Sequence, residues 1–168
     1  MIALKNVLVA TDFSEPSAVA LDYGRDLARS YSATLHVIHV IENRLALHGP
    51  EIGFAYAEIE RNIEAGVRRD LEAALTADDY QMLNARTVIL RASNVSHSIT
   101  GYAKDNAIDL IVVGTHGRGA IQRFLIGSVA DRIMRTAPCP VLTVRTDERD
   151  FIVPEASAVS VDASRASN

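Results

Sequence analysis

The chain contains the apolar run Ile108-Asp109-Leu110-Ile111-Val112-Val113, which leads directly into Gly114-Thr115-His116-Gly117-Arg118-Gly119-Ala120-Ile121-Gln122-Arg123-Phe124-Leu125-Ile126-Gly127-Ser128. Four of the nine glycines of the chain fall in this second stretch, with the spacing Gly-x2-Gly-x9-Gly-Ser. A buried strand that ends in glycines and continues into a helix is a common phosphate site in α/β proteins, because the N–H groups at the helix start point at the anion. The spacing is neither that of the P-loop nor that of the dinucleotide fingerprint. The stretch therefore predicts an α/β fold with an anion-binding loop of a different pattern.

Short apolar runs rich in Val, Ile and Leu recur along the chain and predict five strands. These are Asn6–Ala10, Thr34–Ile41, Ala85–Leu90, Asp109–Gly114 and Val141–Arg145. The intervening patterns predict helices over Glu15–Tyr31 (with Ser14 as its N-cap), Tyr56–Ala77, Ser96–Asn106 and Ser128–Thr136. Several strand runs are apolar throughout, which suits strands covered on both faces. The alternation predicts a doubly wound parallel sheet, with ligands beyond the carboxyl ends of its strands.

The longest predicted helix has an apolar residue at every fourth position. These residues are Ile59, Ile63, Val67, Leu71 and Leu75, and we expect them to form its buried face. The segment before this helix, Glu42–Ala55, contains Gly49-Pro50 and Gly53 and is expected to form a surface loop near the mouth of the sheet.

Length and composition favour a single domain with its own core, since the chain has 168 residues, of which 48% are hydrophobic. We expect the domain to cover residues 1–146 and residues 147–168 to form an acidic, flexible tail.

The net charge of −4 argues against nucleic acid as a partner. A single cysteine, Cys139, fits a reducing compartment, and no apolar run has the length of a signal peptide or a membrane span. The sequence thus predicts a cytoplasmic protein with no membrane partner.

Two residues that follow predicted strands stand where a ligand would lie. Asp12, after the first strand, could accept hydrogen bonds from a ribose or from adenine; alternatively it could cap the first helix or brace the loop without touching a ligand. Val40, at the end of the second strand, could flank a flat base, although by itself it would be assigned to the core. Together with the glycine stretch, these segments are expected to converge on one crevice.

These residues together resemble the universal stress protein family, and specifically its ATP-binding branch. The resemblance covers about residues 2–145. It rests on the complete Gly-x2-Gly-x9-Gly-Ser motif, Ala10-Thr11-Asp12-Phe13-Ser14, the strand end His39-Val40, and Pro138-Cys139-Pro140-Val141-Leu142. It implies a Rossmann-like fold of the adenine nucleotide α-hydrolase type, with five parallel strands in the order 3-2-1-4-5. It also implies a homodimer formed largely through the last strand, Val141–Arg145, which would be an unprotected sheet edge in a monomer.

The resemblance further implies an ATP site and assigns residues to it. The expected nucleotide-binding residues are Ala10, Thr11, Asp12, Val40, Val113, Gly114, His116, Gly117, Arg118, Gly119, Gly127, Ser128 and Val129. Of these, Gly114, Gly117, Gly127 and Ser128 are expected at the phosphates and Asp12 at the ribose or adenine. Mg²⁺ or Mn²⁺ is expected to bridge the phosphates, since the loop has few charges to neutralise them.

Several nearby residues allow more than one role. Arg118 could reach a phosphate or remain solvated, and His116 is expected to be a loop residue rather than a catalytic base. The loop 91–95 lacks the Gly and Pro often found there in the family, but Ser93 and Asn94 are expected to turn the chain and cap the next helix. The remaining histidines show no metal-ligand spacing and are expected to be structural or surface residues; they are His36, His39, His48 and His97.

No nucleophile–base–acid set is visible, so the sequence favours ATP binding over ATP chemistry. The first hypothesis is a cytoplasmic ATP-binding stress-response protein in which nucleotide occupancy sets conformation, dimer geometry or partner choice. A second is a slow ATPase or an autophosphorylating enzyme. A third is a nucleotide-independent interaction module whose acidic tail recruits an unidentified protein. Cyclic AMP is a lesser variant of the first hypothesis, because the triphosphate motif is intact.

Overall fold

The computed structural model of the protein describes residues 2–43, 53–115 and 126–146. Its strands are β1 (Asn6–Ala10), β2 (Thr34–Glu42), β3 (Arg86–Ala92), β4 (Leu110–Gly114) and β5 (Val141–Val144). Its helices are α1 (Glu15–Tyr31), α2 (Gly53–Ala74), α3 (Ala77–Met82), α4 (Val95–Asp105) and α5 (Ser128–Thr136). The strands form one parallel sheet in the order β3-β2-β1-β4-β5. The predicted doubly wound α/β fold and its strand order are confirmed.

The helix predicted over Tyr56–Ala77 is wrong at both ends. It begins earlier, at Gly53, so the predicted loop over Glu42–Ala55 is shorter than expected, and residues 44–52 of it lie outside the described residues. It ends at Ala74, and a separate short helix, α3, follows. The expected cap of α4 is confirmed, because the side chain of Asn94 accepts a hydrogen bond from the backbone N–H of His97 at 3.1 Å.

The sheet is covered on both faces, as continuous apolar strands require. Val7 and Val9 of β1 face one core layer, which they share with α1 and α2, while Leu8 faces the other layer, shared with α4 and α5. All three are fully buried. Side chains that alternate along a strand point to opposite faces, so a single strand supplies both layers.

Helix α1 lies unusually close to the sheet because of a glycine. A Cβ placed on Gly24 would clash with a methyl group of Val9, so only glycine allows this approach of α1 to β1. The helix contains a proline in its first turn and ends at Ser32, which adopts the left-handed conformation (φ 53°) and donates its N–H to the carbonyls of Ala28 and Arg29. The contact at Gly24 sets the distance of α1 from the sheet, and the hydrogen bonds of Ser32 mark where α1 ends.

The expected apolar face of α2 is buried only over its second half. Val67, Leu71 and Leu75 are buried, whereas Ile59 and Ile63 are 51% and 44% exposed.

Within the described ranges, no helix combines the length and the apolar character needed to cross a lipid bilayer.

Candidate functional site

A cavity of about 490 Å³ lies beyond the carboxyl ends of the strands, as the fold predicts. Its walls come from the ends of β1, β2 and β4 and from the first turns of α4 and α5. The lining residues are Ala10, Thr11, Asp12, Ser17, Ile38, His39, Val40, Val95, Ile99, Val113, Gly114, Thr115, Gly127, Ser128, Val129, Ala130 and Ile133. The volume falls within the range typical of small-molecule sites.

Most of the residues predicted for the site meet at this cavity. Those that line it are Ala10, Thr11, Asp12, Val40, Val113, Gly114, Gly127, Ser128 and Val129. The other four, His116, Gly117, Arg118 and Gly119, lie outside the described residues. The convergence of the three predicted segments on one crevice is therefore observed, while the binding role of each residue stays a prediction.

The loop between β1 and α1 is held by its own polar side chains. Ser17 donates its hydroxyl hydrogen to the carbonyl of Ser14 at 2.8 Å, so its contact with the hydroxyl of Thr11 at 3.1 Å requires Thr11 to be the donor there. The Thr11 hydroxyl oxygen also accepts the N–H of Phe13 at 3.0 Å. Each side chain thus fills both of its hydrogen-bonding roles, which gives the loop one defined shape.

Asp12 braces this loop and lines the cavity at the same time. Its Oδ1 accepts the backbone N–H of Ser14 at 3.1 Å and also the Ser14 hydroxyl. Ser14 is the residue at the N-cap of α1, as predicted, but its side chain makes no cap hydrogen bond, and its hydroxyl donates to Asp12. Of the two roles considered for Asp12, bracing is observed, and it leaves the residue at the cavity wall where a ligand could reach it.

The N terminus of α5 opens into the cavity without a side-chain cap. Gly127 stands at the N-cap, where it has no side chain to offer, and its own N–H donates to the carbonyl of Thr115 at 2.7 Å. By contrast, α3 and α4 are capped by Thr76 and Asn94. The first residues of α5 line the cavity, so its uncapped N–H groups and the positive end of its dipole face a space open to a ligand.

Gly114 has a structural reason to be glycine that involves no ligand. A Cβ at this position would lie 2.8 Å from the carbonyl carbon of Pro16 and 2.9 Å from its oxygen. The end of β4 therefore packs directly against the first turn of α1. A side chain at Gly114 would push these two elements apart, whether or not the glycine also serves a phosphate.

Eight lining residues were not among the predicted site residues: Ser17, Ile38, His39, Val95, Ile99, Thr115, Ala130 and Ile133. Val95 and Ile99 stand one turn apart on α4 and form the apolar wall opposite α5; their i, i+4 spacing was a readable signal. His39 was expected to be a structural or surface residue and was not assigned to the site, although its strand end, His39-Val40, was expected at the crevice; it lines the cavity. Its Nδ1 lies 2.9 Å from the carbonyl oxygen of Thr11, and its ring stacks on Phe13 with centroids 4.8 Å apart and an interplanar angle of 24°.

Among the described residues, no group of three or more His, Cys, Asp or Glu side chains is arranged to hold a metal ion. Cys139 is a free, half-buried thiol whose pKa is raised by burial and by the nearby charge of Asp109. A thiol held in its neutral form is a poor nucleophile, which agrees with a structural role at the entrance to β5.

The profile of the universal stress protein family matches residues 3–145 of this chain. The chain belongs to the universal stress protein family. Among its relatives is universal stress protein A homolog 1 of Coxiella burnetii, which is 35% identical over 142 residues, with 83% of this chain and 95% of the relative covered. The universal stress protein UspA from Lactobacillus plantarum superimposes with a TM-score of 0.71 at 25% identity, covering 86% of this chain and all of that one.

Two more distant universal stress proteins of the same fold have been solved with nucleotides. One is in complex with cAMP, with a TM-score of 0.54 and 24% identity, covering 85% of this chain and 98% of that one. The other, from Archaeoglobus fulgidus, is in complex with dAMP, with a TM-score of 0.55 and 22% identity, covering 86% of this chain and 99% of that one. At these identities the likeness establishes a shared fold.

Proposed function

We propose that this protein is a cytoplasmic universal stress protein that binds ATP in the cavity at the carboxyl ends of its strands, and that nucleotide occupancy sets its conformation or choice of partner. The observation that carries the proposal is the uncapped N terminus of α5, which faces a cavity whose other walls hold Asp12 and the apolar residues Val40 and Val113. One cavity thus offers a group suited to each part of a nucleotide.

The chemistry of the lining residues fits an adenine nucleotide. Val40 and Val113 are 8% and 3% exposed and present apolar surface for a flat base. The Asp12 carboxylate is an acceptor for a ribose hydroxyl or for the adenine amino group. The N–H groups of Ser128 and Val129 at the start of α5 suit phosphate oxygens. Mg²⁺ or Mn²⁺ bound to those oxygens would neutralise the negative charge of the phosphates, which the described side chains of the cavity do not neutralise.

The relatives narrow the ligand class, and the sequence narrows it further. The cAMP and dAMP complexes of two proteins with this fold make adenine nucleotides the first class to test. The complete Gly-x2-Gly-x9-Gly-Ser stretch favours a ligand with several phosphates, so ATP is preferred over the monophosphates.

The decisive experiment compares nucleotide binding by the wild-type protein and by a Gly127→Val variant. Gly127 has φ −59° and ψ 147°, values that any residue adopts, so valine adds bulk above the N–H groups of α5 without straining the backbone. Gly114 is not used for this test, because a side chain there would strike Pro16. Titration with ATP and Mg²⁺ should show micromolar binding by the wild type and an affinity at least ~10-fold weaker in the variant.

Gly66→Val is the matched control, because a side chain at Gly66 on α2 would meet no atom within 4 Å. It should bind ATP as the wild type does. Acid extraction of the purified protein, followed by identification of the released nucleotide, tests occupancy without added ligand. A wild-type protein that carries no nucleotide and shows no binding on titration would refute the proposal.

We further propose that the protein acts as a homodimer joined through β5. This strand pairs only with β4 within the described sheet, so its outer edge presents unpaired backbone groups that invite pairing with a second copy. A two-fold axis beside this strand would extend the sheet across two protomers.

A further inference from the structure

We propose that His39 is a positioning residue that holds Asp12 for nucleotide recognition, and that it thereby sets the selectivity of the site. The inference rests on the proposed nucleotide site. Its basis is geometric: Asp12 stands between Thr11 and Phe13, and the imidazole of His39 contacts both of these neighbours. One ring, supplied by a strand 28 positions along the chain, therefore holds both sides of Asp12.

The hydrogen bond to Thr11 shows that Nδ1 of the imidazole carries a hydrogen. A backbone carbonyl oxygen can only accept, so Nδ1 at 2.9 Å from it must carry the hydrogen. In the neutral ring this leaves Nε2 without a proton. The bond joins the end of β2, next to Val40, to the start of the loop that carries Asp12, and so links two walls of the cavity.

The contact with Phe13 supports an unfavourable backbone conformation. Phe13 has φ 61°, in the left-handed region, which is strained for a non-glycine residue. Its N–H donates to the Thr11 hydroxyl, and its ring stacks on His39. These contacts offset the cost of a turn that a free peptide would avoid. Without the imidazole, the turn loses the stacking partner of Phe13 and the donor to Thr11 together.

The consequence for function is selectivity, because recognition by a carboxylate requires its position to be held within about 0.5 Å. Asp12 can accept a hydrogen bond from the ribose 2′-hydroxyl or from the adenine amino group. Deoxy-ATP lacks the first group and GTP lacks the second. The wild-type protein should therefore prefer ATP over at least one of these two analogues, and the preference should depend on His39.

The experiment compares His39→Leu with His39→Asn, two side chains of nearly equal size that differ in the donor. Dissociation constants for ATP, deoxy-ATP and GTP are measured for each, with Mg²⁺ present. His39→Leu should weaken ATP binding ~10-fold, as expected for the loss of one well-placed hydrogen bond. For the analogue that the wild type binds more weakly than ATP, the ratio of its dissociation constant to that of ATP should fall close to one. His39→Asn retains an N–H donor but not the ring that stacks on Phe13, and it should restore part of the ATP affinity and part of the selectivity. His97→Asn, at an exposed position of α4, is the control and should match the wild type.

Leucine and asparagine variants that both keep the wild-type affinities and affinity ratios would overturn the inference. An equal weakening of the binding of all three nucleotides by His39→Leu would also overturn it.

A ligand-free measurement keeps the proposal testable if the variants do not fold. In ¹⁵N-resolved spectra of the wild-type protein above pH 8, the His39 ring should carry its proton on Nδ1. A proton on Nε2 alone would contradict the hydrogen bond. Absence of nucleotide binding by a wild type with the expected tautomer would refute the proposed function and leave the geometry intact.

Discussion

At the scale of single residues, His36 is the most unusual side chain in the core. It lies on β2 beneath α4, is only 2% exposed, and its Nδ1 is 2.8 Å from the hydroxyl of Tyr102. Its Nε2 is buried and has no hydrogen-bond partner in the described part of the protein. Burial, with a smaller contribution from the positive charge of Arg86, lowers the pKa of this imidazole. His36 is therefore neutral where an exposed histidine would begin to bind a proton.

This burial predicts a stability that falls in mild acid. Above the ordinary histidine pKa of about 6.5, His36 is neutral in both the folded and the unfolded chain, so it causes no loss of stability. Below it, the unfolded chain binds a proton that the folded chain does not, and the free energy of unfolding falls by up to about 1.4 kcal/mol per pH unit. Urea denaturation from pH 8 to pH 5 should show a smaller fall for His36→Leu than for the wild type.

His97→Leu serves as the control for this measurement, because its ring is exposed on the same side of the sheet. Its stability should follow the wild-type pH dependence. If the wild type and His36→Leu lose stability in parallel between pH 6.5 and pH 5, another group is responsible for the acid sensitivity.

At the scale of elements, the short helix α3 depends on a buried carboxylate. Asp79 is fully buried, and its carboxylate accepts the N–H of Thr76 at 2.8 Å and the Nε–H of Arg25 at 2.8 Å. Thr76 in turn accepts the N–H of Asp79, which completes a capping box. Burial alone would raise the pKa of Asp79, but the hydrogen bonds from Arg25 and Thr76 outweigh it and lower the pKa. The same carboxylate thus starts α3 and ties it to α1.

Replacing Asp79 should destabilise the fold strongly. Asp79→Ala removes the carboxylate half of the capping box and one partner of the ion pair with Arg25, whose side chain is 17% exposed. We expect a loss of about 3 kcal/mol, the lower end for breaking a buried pair, because the arginine can still reach solvent. Asp78→Ala is the matched control, since its side chain is exposed, and it should cost well under 1 kcal/mol. Equal losses in both variants, measured by thermal or urea denaturation, would contradict this role of the buried pair.

At the scale of the whole molecule, the sheet has two edges, and one of them, β5, pairs with β4, whose end lines the cavity. Its last residue, Val144, accepts the N–H of Thr115, and Thr115 in turn accepts the N–H of Gly127 at the start of α5. An assembly through β5 would therefore lie next to the elements that form the cavity wall. This placement offers a direct route by which nucleotide occupancy and dimer geometry could influence each other.

The edge can be tested without disturbing the sheet. Pro140 and Val144 point their carbonyls toward β4, so by alternation the N–H and carbonyl of Thr143 point to the outer edge. Thr143→Pro removes an outward N–H and should convert the homodimer to a monomer, as measured by light scattering after size-exclusion chromatography. Thr143→Val keeps the N–H and should remain dimeric. A wild-type monomer, or a dimer that survives Thr143→Pro, would exclude pairing through this strand.

Much of the architecture could be predicted from the sequence because it depends on local patterns. The bounds of β1, α1 and α5 agree with the periodicity of their residues, and the cap of α4 agrees with Asn94. The boundary between α2 and α3 was missed although Thr76 and Asp79 stand three apart, the spacing of a capping box. The continuous apolar stripe of the segment concealed that signal. The convergence of the loop ends on one cavity followed from parallel topology.

By itself, the sequence determined the family, the α/β class and the order of strands and helices except for α3, since these follow from neighbours a few residues apart and from one glycine motif. The tertiary structure alone decided how distant residues meet. His39 reaches Thr11 across 28 positions, Arg25 reaches Asp79 across 54, and His36 reaches Tyr102 across 66. No local pattern encodes such contacts, because they depend on how strands and helices pack once the chain has folded. Whether a histidine lines a cavity, lies buried or faces solvent is settled only by that packing.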